Sequence, residues 1–215
     1  MSHDLSEARV SYERGSLDVD ALGGDPLTAF GSWFDAAQAA QLLEPYAMTL
    51  ATVGIDGQPA ARIVLLRGWD EHGFVFFTNY ESQKGHEIAH TPRAALLFYW
   101  AALQRQIRIE GTVERLNAGD NDSYFAKRPR GHRLSAWASR QSTVVPDRAY
   151  LEAEMAAYEE RFADRDVPRP DYWGGYRVKP NRFEFWQGRR NRVHDRILYR
   201  RALDTGAWVI ERLAP

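Results

Sequence analysis

Four arginines, one histidine and one tryptophan fall within twelve residues, Phe185-Trp186-Gln187-Gly188-Arg189-Arg190-Asn191-Arg192-Val193-His194-Asp195-Arg196. Arginine gathered this way suits an anion, because its planar fork pairs bidentately with phosphate or carboxylate. From residue 181 to 201 seven Arg stand against Glu184 and Asp195, a surplus of five positive charges in a chain whose formal net charge is -1. The plainer reading is a basic hairpin edge whose charges discourage strand addition. Three more clusters have the same character. Arg62 and Arg67 flank the apolar run Ile63-Val64-Leu65-Leu66. Thr78, Ser82 and Lys84 put hydroxyls and a cation beside a predicted helix N-terminus. Tyr124, Lys127, Arg128, Arg130, His132 and Arg133 form a loop with no acid between Lys127 and Arg133. No G-x-G-x-x-G follows a strand and there is no Walker A loop, so a bound phosphate would be met by side chains. Four such clusters in a near-neutral chain point to a site for more than one anionic group.

One motif offers a rival chemistry. His86-Glu87-Ile88-Ala89-His90 matches H-E-x-x-H, two histidines one helical turn apart with a glutamate as general base on zinc. Pro92 stops that helix almost at once and no third ligand follows at the extended-motif spacing. The plain reading is a short surface helix with two solvent-facing histidines. Ser135, Ser139 and Ser142 show no Ser-His-Asp spacing and read as ordinary helix or loop serines.

The elements that must position these groups are mostly short strands. Residues 1–24 are polar, end in Gly23-Gly24 and read as a flexible arm. Asp25 as N-cap and Pro26 at the first position open a helix whose Leu27, Phe30, Phe34 and Ala37 should face the core. Strands are predicted over 47–53, 60–66, 74–78, 94–100 and 105–115, with Asp56-Gly57 as a hairpin turn. In the last of these, Gln106, Arg108 and Glu110 share one face and Ile107 and Ile109 the other. Ser82 can cap a short helix ended by Pro92. Helices follow over 118–127 and 147–162, the second with Leu151, Met155 and Tyr158 in one stripe. Strands over 176–178, 182–186, 196–199 and 208–213 close the chain. Short antiparallel strands with few long helices suggest a barrel. A single domain over 25–215 follows, with 1–24 appended.

Composition narrows the class. There is no cysteine, which removes disulfides, thiolate metal sites and cysteine nucleophiles. Seven Trp, ten Tyr and ten Phe fit strands or a site for a flat ring. The stretch 1–15 has no apolar signal region, and no apolar run nears the ~20 residues of a membrane span. The expectation is a cytoplasmic protein that binds neither membrane nor, with its near-zero charge, bulk nucleic acid.

The motifs Arg62-Ile63-Val64-Leu65-Leu66, Arg128-Pro129-Arg130, Ala136-Trp137-Ala138-Ser139-Arg140-Gln141-Ser142, Trp173-Gly174-Gly175-Tyr176-Arg177, Phe185-Trp186-Gln187-Gly188 and Arg192-Val193-His194-Asp195-Arg196 together resemble the pyridoxamine 5'-phosphate oxidases. The resemblance runs nearly end to end, from Arg9 and Tyr12 to Arg212-Leu213-Ala214-Pro215. It implies a mainly β protein with flanking helices, a split antiparallel β-barrel of the FMN-binding type, and a homodimer with FMN sites at the subunit interface. By motif match FMN would be held by Arg62, Ile63, Val64, Leu65, Leu66, Phe77, Thr78, Lys84, Gln106, Gln141, Ser142, Trp186 and Arg196. The substrate phosphate would meet Arg67, Tyr124, Arg128 and His132. Arg192, Val193 and His194 would lie against the substrate ring, with Arg192 and His194 catalytic, and Arg9 and Tyr12 would help cover it. No metal is implied.

The implied reaction oxidises pyridoxamine or pyridoxine 5'-phosphate to pyridoxal 5'-phosphate. The substrate carbon gives a hydride to the flavin, and dioxygen reoxidises it with release of hydrogen peroxide. Alternatives are a sister flavin oxidase of the phenazine-biosynthesis type acting on another aromatic anion, and a non-catalytic flavin or pyridoxal-phosphate binding protein. The chain departs from the commonest family pattern at four positions: Arg67 for lysine, Phe77 for tyrosine, Gln83 for an arginine beside Lys84, and His132 where serine is frequent.

Overall fold

A computed structural model of the chain describes residues 4, 6–7 and 11–215. In chain order its elements are α1 (Val19–Leu22), α2 (Pro26–Ala39), β1 (Ala47–Val53), β2 (Pro59–Leu65), β3 (Gly68–Asp70), β4 (Gly73–Asn79), α3 (Gln83–His90), β5 (Arg93–Trp100) and β6 (Arg105–Arg115). There follow α4 (Ala118–Ala126), α5 (Arg130–Ala138), α6 (Arg148–Arg161), β7 (Trp173–Gln187), β8 (Asp195–Arg201) and β9 (Trp208–Arg212). Hydrogen bonding orders the strands β2-β1-β5-β6-β7-β4-β3, with β8 on β7 and β9 on β8. The ladders β3–β4, β4–β7, β7–β8 and β8–β9 are antiparallel. The chain divides into two compact units, one of the segments up to Met48, Leu96–Glu110 and Asn181–Pro215, the other of Thr49–Ala95 and Gly111–Pro180.

The first unit is built on α2. Asp25 accepts from Leu27 N and Thr28 N, and Pro26 needs no donor partner at the first turn. The buried face carries Pro26, Ala29, Phe30, Trp33, Phe34 and Ala37, while Leu27 is only half-buried. Phe30 meets Phe98 at 5.2 Å and Trp33 meets Phe185 edge-on at 5.2 Å, the offset geometries that aromatic quadrupoles favour. Within the stretch read as an arm, α1 forms a helical turn, Leu17 and Leu22 are buried, and the Tyr199 hydroxyl donates to Gly23 O at 2.7 Å. On β6 the expected alternation holds: Ile107 and Ile109 are buried, Gln106, Arg108 and Glu110 half-buried.

In the second unit the buried Phe74 and Phe76 of β4 lie beside Val178 and Tyr176, in the ladder that β4 makes with the Trp173–Val178 half of β7. Buried Asn121 ties α4 to this strand: its Oδ1 accepts from Gly175 N at 2.7 Å and its Nδ2 donates to Leu116 O at 3.2 Å. The glycine pair answers a steric demand, since a Cβ on Gly174 would lie 2.1 Å from the Tyr80 hydroxyl. Leu134 of α5 packs with Phe162 and Val167, and Met155 and Tyr158 of α6 lean on that cluster.

Besides α1 and the short β3, which were not expected, two elements differ from expectation. The strands predicted over 176–178 and 182–186 are one strand, β7, running through Pro180. On one side its first half pairs β4 as far as Val178 and its second half pairs β8 from Arg182, so on that side the proline falls between two ladders, where its missing N–H costs neither. The loop expected at 127–133 turns helical at Arg130, just after Pro129. Among the described residues no helix is long and apolar enough to cross a membrane.

Candidate active site

The second unit contains a cleft of about 1230 Å³ walled by β2, the end of β4, the start of α3, and α4, α5 and the loop after them. Lys84 is buried at its foot, 8% exposed. Its Nζ donates to Gln141 Oε1 at 3.0 Å and Ser82 Oγ at 3.3 Å, and the Thr78 hydroxyl donates to the same Gln141 oxygen at 3.0 Å. Neither partner of the ammonium is an anion. Burial pushes the Lys84 pKa down and neighbouring Arg62 adds to this, with Glu87 pulling the other way. Ser142 follows with φ 73, a left-handed backbone uncommon outside glycine and frequent at binding sites.

Arg62 is differently placed. Its Nη2 pairs with Glu87 Oε2 at 2.9 Å, and its Nη1 donates to Leu50 O at 3.3 Å and to the Thr52 hydroxyl. Gln83 Nε2 donates to the other Glu87 oxygen at 2.8 Å. Burial would raise the Glu87 pKa, but bonds from Thr52, Gln83 and Arg62 outweigh it and hold the carboxyl below its ordinary value. This explains the H-E-x-x-H match: Glu87 is buried against Arg62, while His86 and His90 are exposed. Among the described residues no three His, Cys, Asp or Glu converge as a metal cluster.

Across the cleft Phe77, Tyr124 and Trp173 form a stack, with Phe77–Tyr124 at 3.7 Å and Phe77–Trp173 at 5.5 Å. The Arg128 guanidinium lies 4.4 Å above Trp173, and its buried Nη1 has no hydrogen-bond partner. Burial lowers its pKa; Tyr124 opposes and Arg67 reinforces that shift. Arg67, His132 and Ile63 line the same cleft as exposed residues and Val64 and Leu65 as half-buried ones, whereas the Leu66 side chain is buried in the core. The cationic loop thus divides. Arg130 caps the end of α6 through Phe162 O at 2.7 Å and Arg165 O at 3.1 Å, Arg133 pairs with Asp166, and Arg128 is left to the cleft. Trp173 and Glu87 are the site residues whose roles sequence reasoning missed. Both stood in motifs already noted, the Trp-Gly-Gly run and the histidine pair.

The remaining candidates sit in the first unit. Trp186 and His194 rings are 4.6 Å apart, and Tyr12 lies 5.8 Å from Trp186 and 5.7 Å from His194. His194 Nδ1 accepts from Arg189 N at 3.1 Å, so a neutral ring carries its proton on Nε2. Asn191 and Arg192 take consecutive left-handed φ of 57 and 62, and Val193 is exposed. Arg196 donates from Nε to buried Glu184 at 2.8 Å and from Nη1 to Ala214 O at 2.8 Å, and the Glu184 pair raises its pKa. Gln106 is half-buried on β6, and Arg9 lies outside the described residues.

Burial, then the charge of Arg192, lowers the His194 pKa below its ordinary value of 6.5. The neutral imidazole therefore persists below that pH. In Arg192→Ala one of the two depressing causes is gone, so the His194 pKa should rise. Titration of the imidazole resonances by NMR checks this; an unchanged midpoint would show the two side chains to be uncoupled.

Among solved structures, PhzG from Burkholderia lata 383, in complex with tetrahydrophenazine-1-carboxylic acid, aligns at TM-score 0.85 and 32% identity, covering 94% of this chain and 100% of that one. A pyridoxamine 5'-phosphate oxidase-related, FMN-binding protein from Nostoc punctiforme aligns at TM-score 0.67 and 20% identity, over 86% and 96%, a likeness of fold alone. The fold is an antiparallel split barrel with flanking helices, and the family matched over more than half of the chain is one of flavoprotein oxidoreductases. Residues 34–162 match the family model for pyridoxamine 5'-phosphate oxidase, and residues 173–215 that for the pyridoxine 5'-phosphate oxidase C-terminal dimerisation region. The pyridoxine/pyridoxamine 5'-phosphate oxidase of Burkholderia multivorans is 57% identical over 212 residues, 98% of this chain and 99% of that protein; that of Ralstonia pickettii is 55% identical over 211, again 98% and 99%. The chain belongs to the pyridoxamine 5'-phosphate oxidase family.

Proposed function

We propose that this protein is a cytoplasmic, homodimeric FMN-dependent oxidase that converts pyridoxamine or pyridoxine 5'-phosphate to pyridoxal 5'-phosphate, with dioxygen as acceptor and hydrogen peroxide as product. One observation carries most weight. Two cations withdrawn from water in the cleft have no carboxylate partner, Lys84 among Gln141 and Ser82, and half-buried Arg128 above Trp173 with an unbonded, buried Nη1. Buried charges are normally paired, so an uncompensated pair is what a site for two phosphate groups requires. The residues present fit FMN: Lys84, Thr78 and Gln141 supply donors at a helix N-terminus, although Gln83 contributes no charge.

FMN, when bound, would supply two-electron redox chemistry between the substrate carbon and dioxygen. The chain's own residues bind and orient. Lys84 and Arg62 meet the cofactor phosphate. Arg128, with Tyr124, Arg67 and His132, meets the substrate phosphate. Arg192 and His194 hold the ring, His194 presenting Nε2, and Tyr12 covers it. A second reading is an oxidase of another aromatic anion, favoured by the likeness to PhzG; Arg128 would serve a carboxylate as well as a phosphate.

The test is FMN titration followed by peroxide release with each B6 phosphate ester and with an aromatic carboxylate. Turnover of the carboxylate alone would favour the second reading, and flavin binding without peroxide would reduce the protein to a binder. Arg196→Ala should weaken FMN about tenfold, as loss of a charge-assisted bond does. Arg192→Ala and His194→Ala should instead lower turnover at least about tenfold with flavin retained. Equal flavin loss in all three would refute the assignment.

A further inference from the structure

Residues 12–14 are fastened to their unit at three points by residues to which the family resemblance assigns no role. Gln104 Oε1 accepts from Glu13 N at 2.8 Å and from Arg14 N at 3.0 Å. Gln104 itself is left-handed, φ 54 and ψ 40, and its carbonyl accepts from Gly188 N at 2.8 Å. A residue with a side chain rarely adopts that backbone unless its surroundings impose it. Glu13 Oε2 pairs with Arg190 Nη2 at 2.7 Å. At Gly188 a Cβ would come within 2.8 Å of Tyr12 Cγ, so glycine leaves room for the ring to approach the chain closely. Arg190 in turn opens the turn in which Asn191 and Arg192 are left-handed and which leads to His194. One ion pair therefore joins the backbone that carries Tyr12 to the loop that carries Arg192 and His194.

We propose that Glu13, Arg190 and Gln104 are positioning residues that hold Tyr12 against the Arg192–His194 loop, so that the two form one prearranged surface for a flat aromatic substrate. The proposal rests on the reading that Tyr12, Arg192 and His194 meet the substrate ring. The two kinds of fastening differ. Arg190 and Glu13 are 70% and 50% exposed, so their attraction is modest and screened by salt. The two bonds to Gln104 are between neutral groups and insensitive to salt. Because this surface is fastened before substrate arrives, loosening it should weaken substrate capture and leave the chemical step alone.

The test uses the full chain and the variants Glu13→Ala, Arg190→Ala, Gln104→Ala and the charge exchange Glu13→Arg with Arg190→Glu. Amide hydrogen exchange at Glu13 and Arg14, without substrate, reads the fastening directly. Exchange there should quicken about tenfold in Gln104→Ala, which removes the acceptor. At low salt the KM for pyridoxine 5'-phosphate should rise up to about fivefold in each ion-pair single variant. It should rise about tenfold in Gln104→Ala. FMN affinity and kcat should stay within about twofold, and the charge exchange should return KM towards the native value. In about 0.5 M salt the native protein should approach Arg190→Ala. An unchanged exchange rate in Gln104→Ala, an unchanged KM, or a charge exchange no better than the single variants would overturn the proposal. A protein that turns over no B6 ester would fail the functional reading, and the substrate surface with it, while amide exchange alone would still decide whether the fastening exists.

Discussion

Replacing Arg128 with methionine should raise the KM for pyridoxine 5'-phosphate by roughly 10- to 150-fold, the range of one charged hydrogen bond. The same change should leave the ligand-free protein as stable as before, or more so. The two signs have one cause. The Arg128 guanidinium is half-buried over Trp173, its Nη1 is cut off from water, and no carboxylate repays that desolvation. Methionine keeps the unbranched stem that covers Trp173 and removes the charge. Binding of unphosphorylated pyridoxine, which lacks the anion, should hardly change. KM for both compounds and a thermal melt decide the matter. A variant that loses stability and affects both compounds alike would show Arg128 to be a packing residue.

Gly85→Ala should unseat the cofactor. Gly85 is the third residue of α3, and an alanine Cβ there would lie 2.0 Å from the Tyr80 carbonyl oxygen and 2.5 Å from its carbon. These are backbone atoms, so no side chain can swing aside. Alanine would gain about 1 kcal/mol in helix propensity. The clash costs about 1–3 kcal/mol or a displacement of the helix start, and the clash wins. Lys84 is the adjacent residue and Glu87 lies two beyond, so a shift of about 1 Å would misplace both and weaken FMN by about 100-fold. The melting temperature should fall by several degrees, at roughly 2–4 °C per kcal/mol for a chain of this size. Gly31→Ala is the control: it is also helical, nothing lies within 4 Å of its Cβ position, and alanine there should stabilise by about 0.5–1 kcal/mol. A Gly85→Ala protein that melts and binds flavin like Gly31→Ala would show that the helix start yields without consequence.

The strands were the most legible part of the sequence. β1 and β6 run where alternation of apolar and polar residues places them. β7 was not legible as one strand, because a proline argues for a break and only the change of partner at Val178 and Arg182 makes it harmless. α5 was hidden by its polar, arginine-rich first turn, whose Arg130 turns away to cap α6. At the site the cationic clusters were visible, but their sorting was not. Whether Arg62, Arg128, Arg130 or Arg133 faces a ligand depends on which carboxylate or carbonyl lies near it. Those partners come from 12 to 35 residues away, or for Arg128 not at all. Motif resemblance supplied what spacing could not.

The Arg62–Glu87 pair also bears on how a substrate finds the cleft. Seen from beyond about 10 Å, the Debye length in 0.1 M salt, a cation locked to a carboxylate at 2.9 Å is a dipole, and its field falls away faster than that of a charge. Arg62 therefore contributes little to drawing a dianion in from solution. Its pull is felt only at contact, through the N–H groups that remain to it, so at this corner of the cleft recognition follows collision and does not direct it.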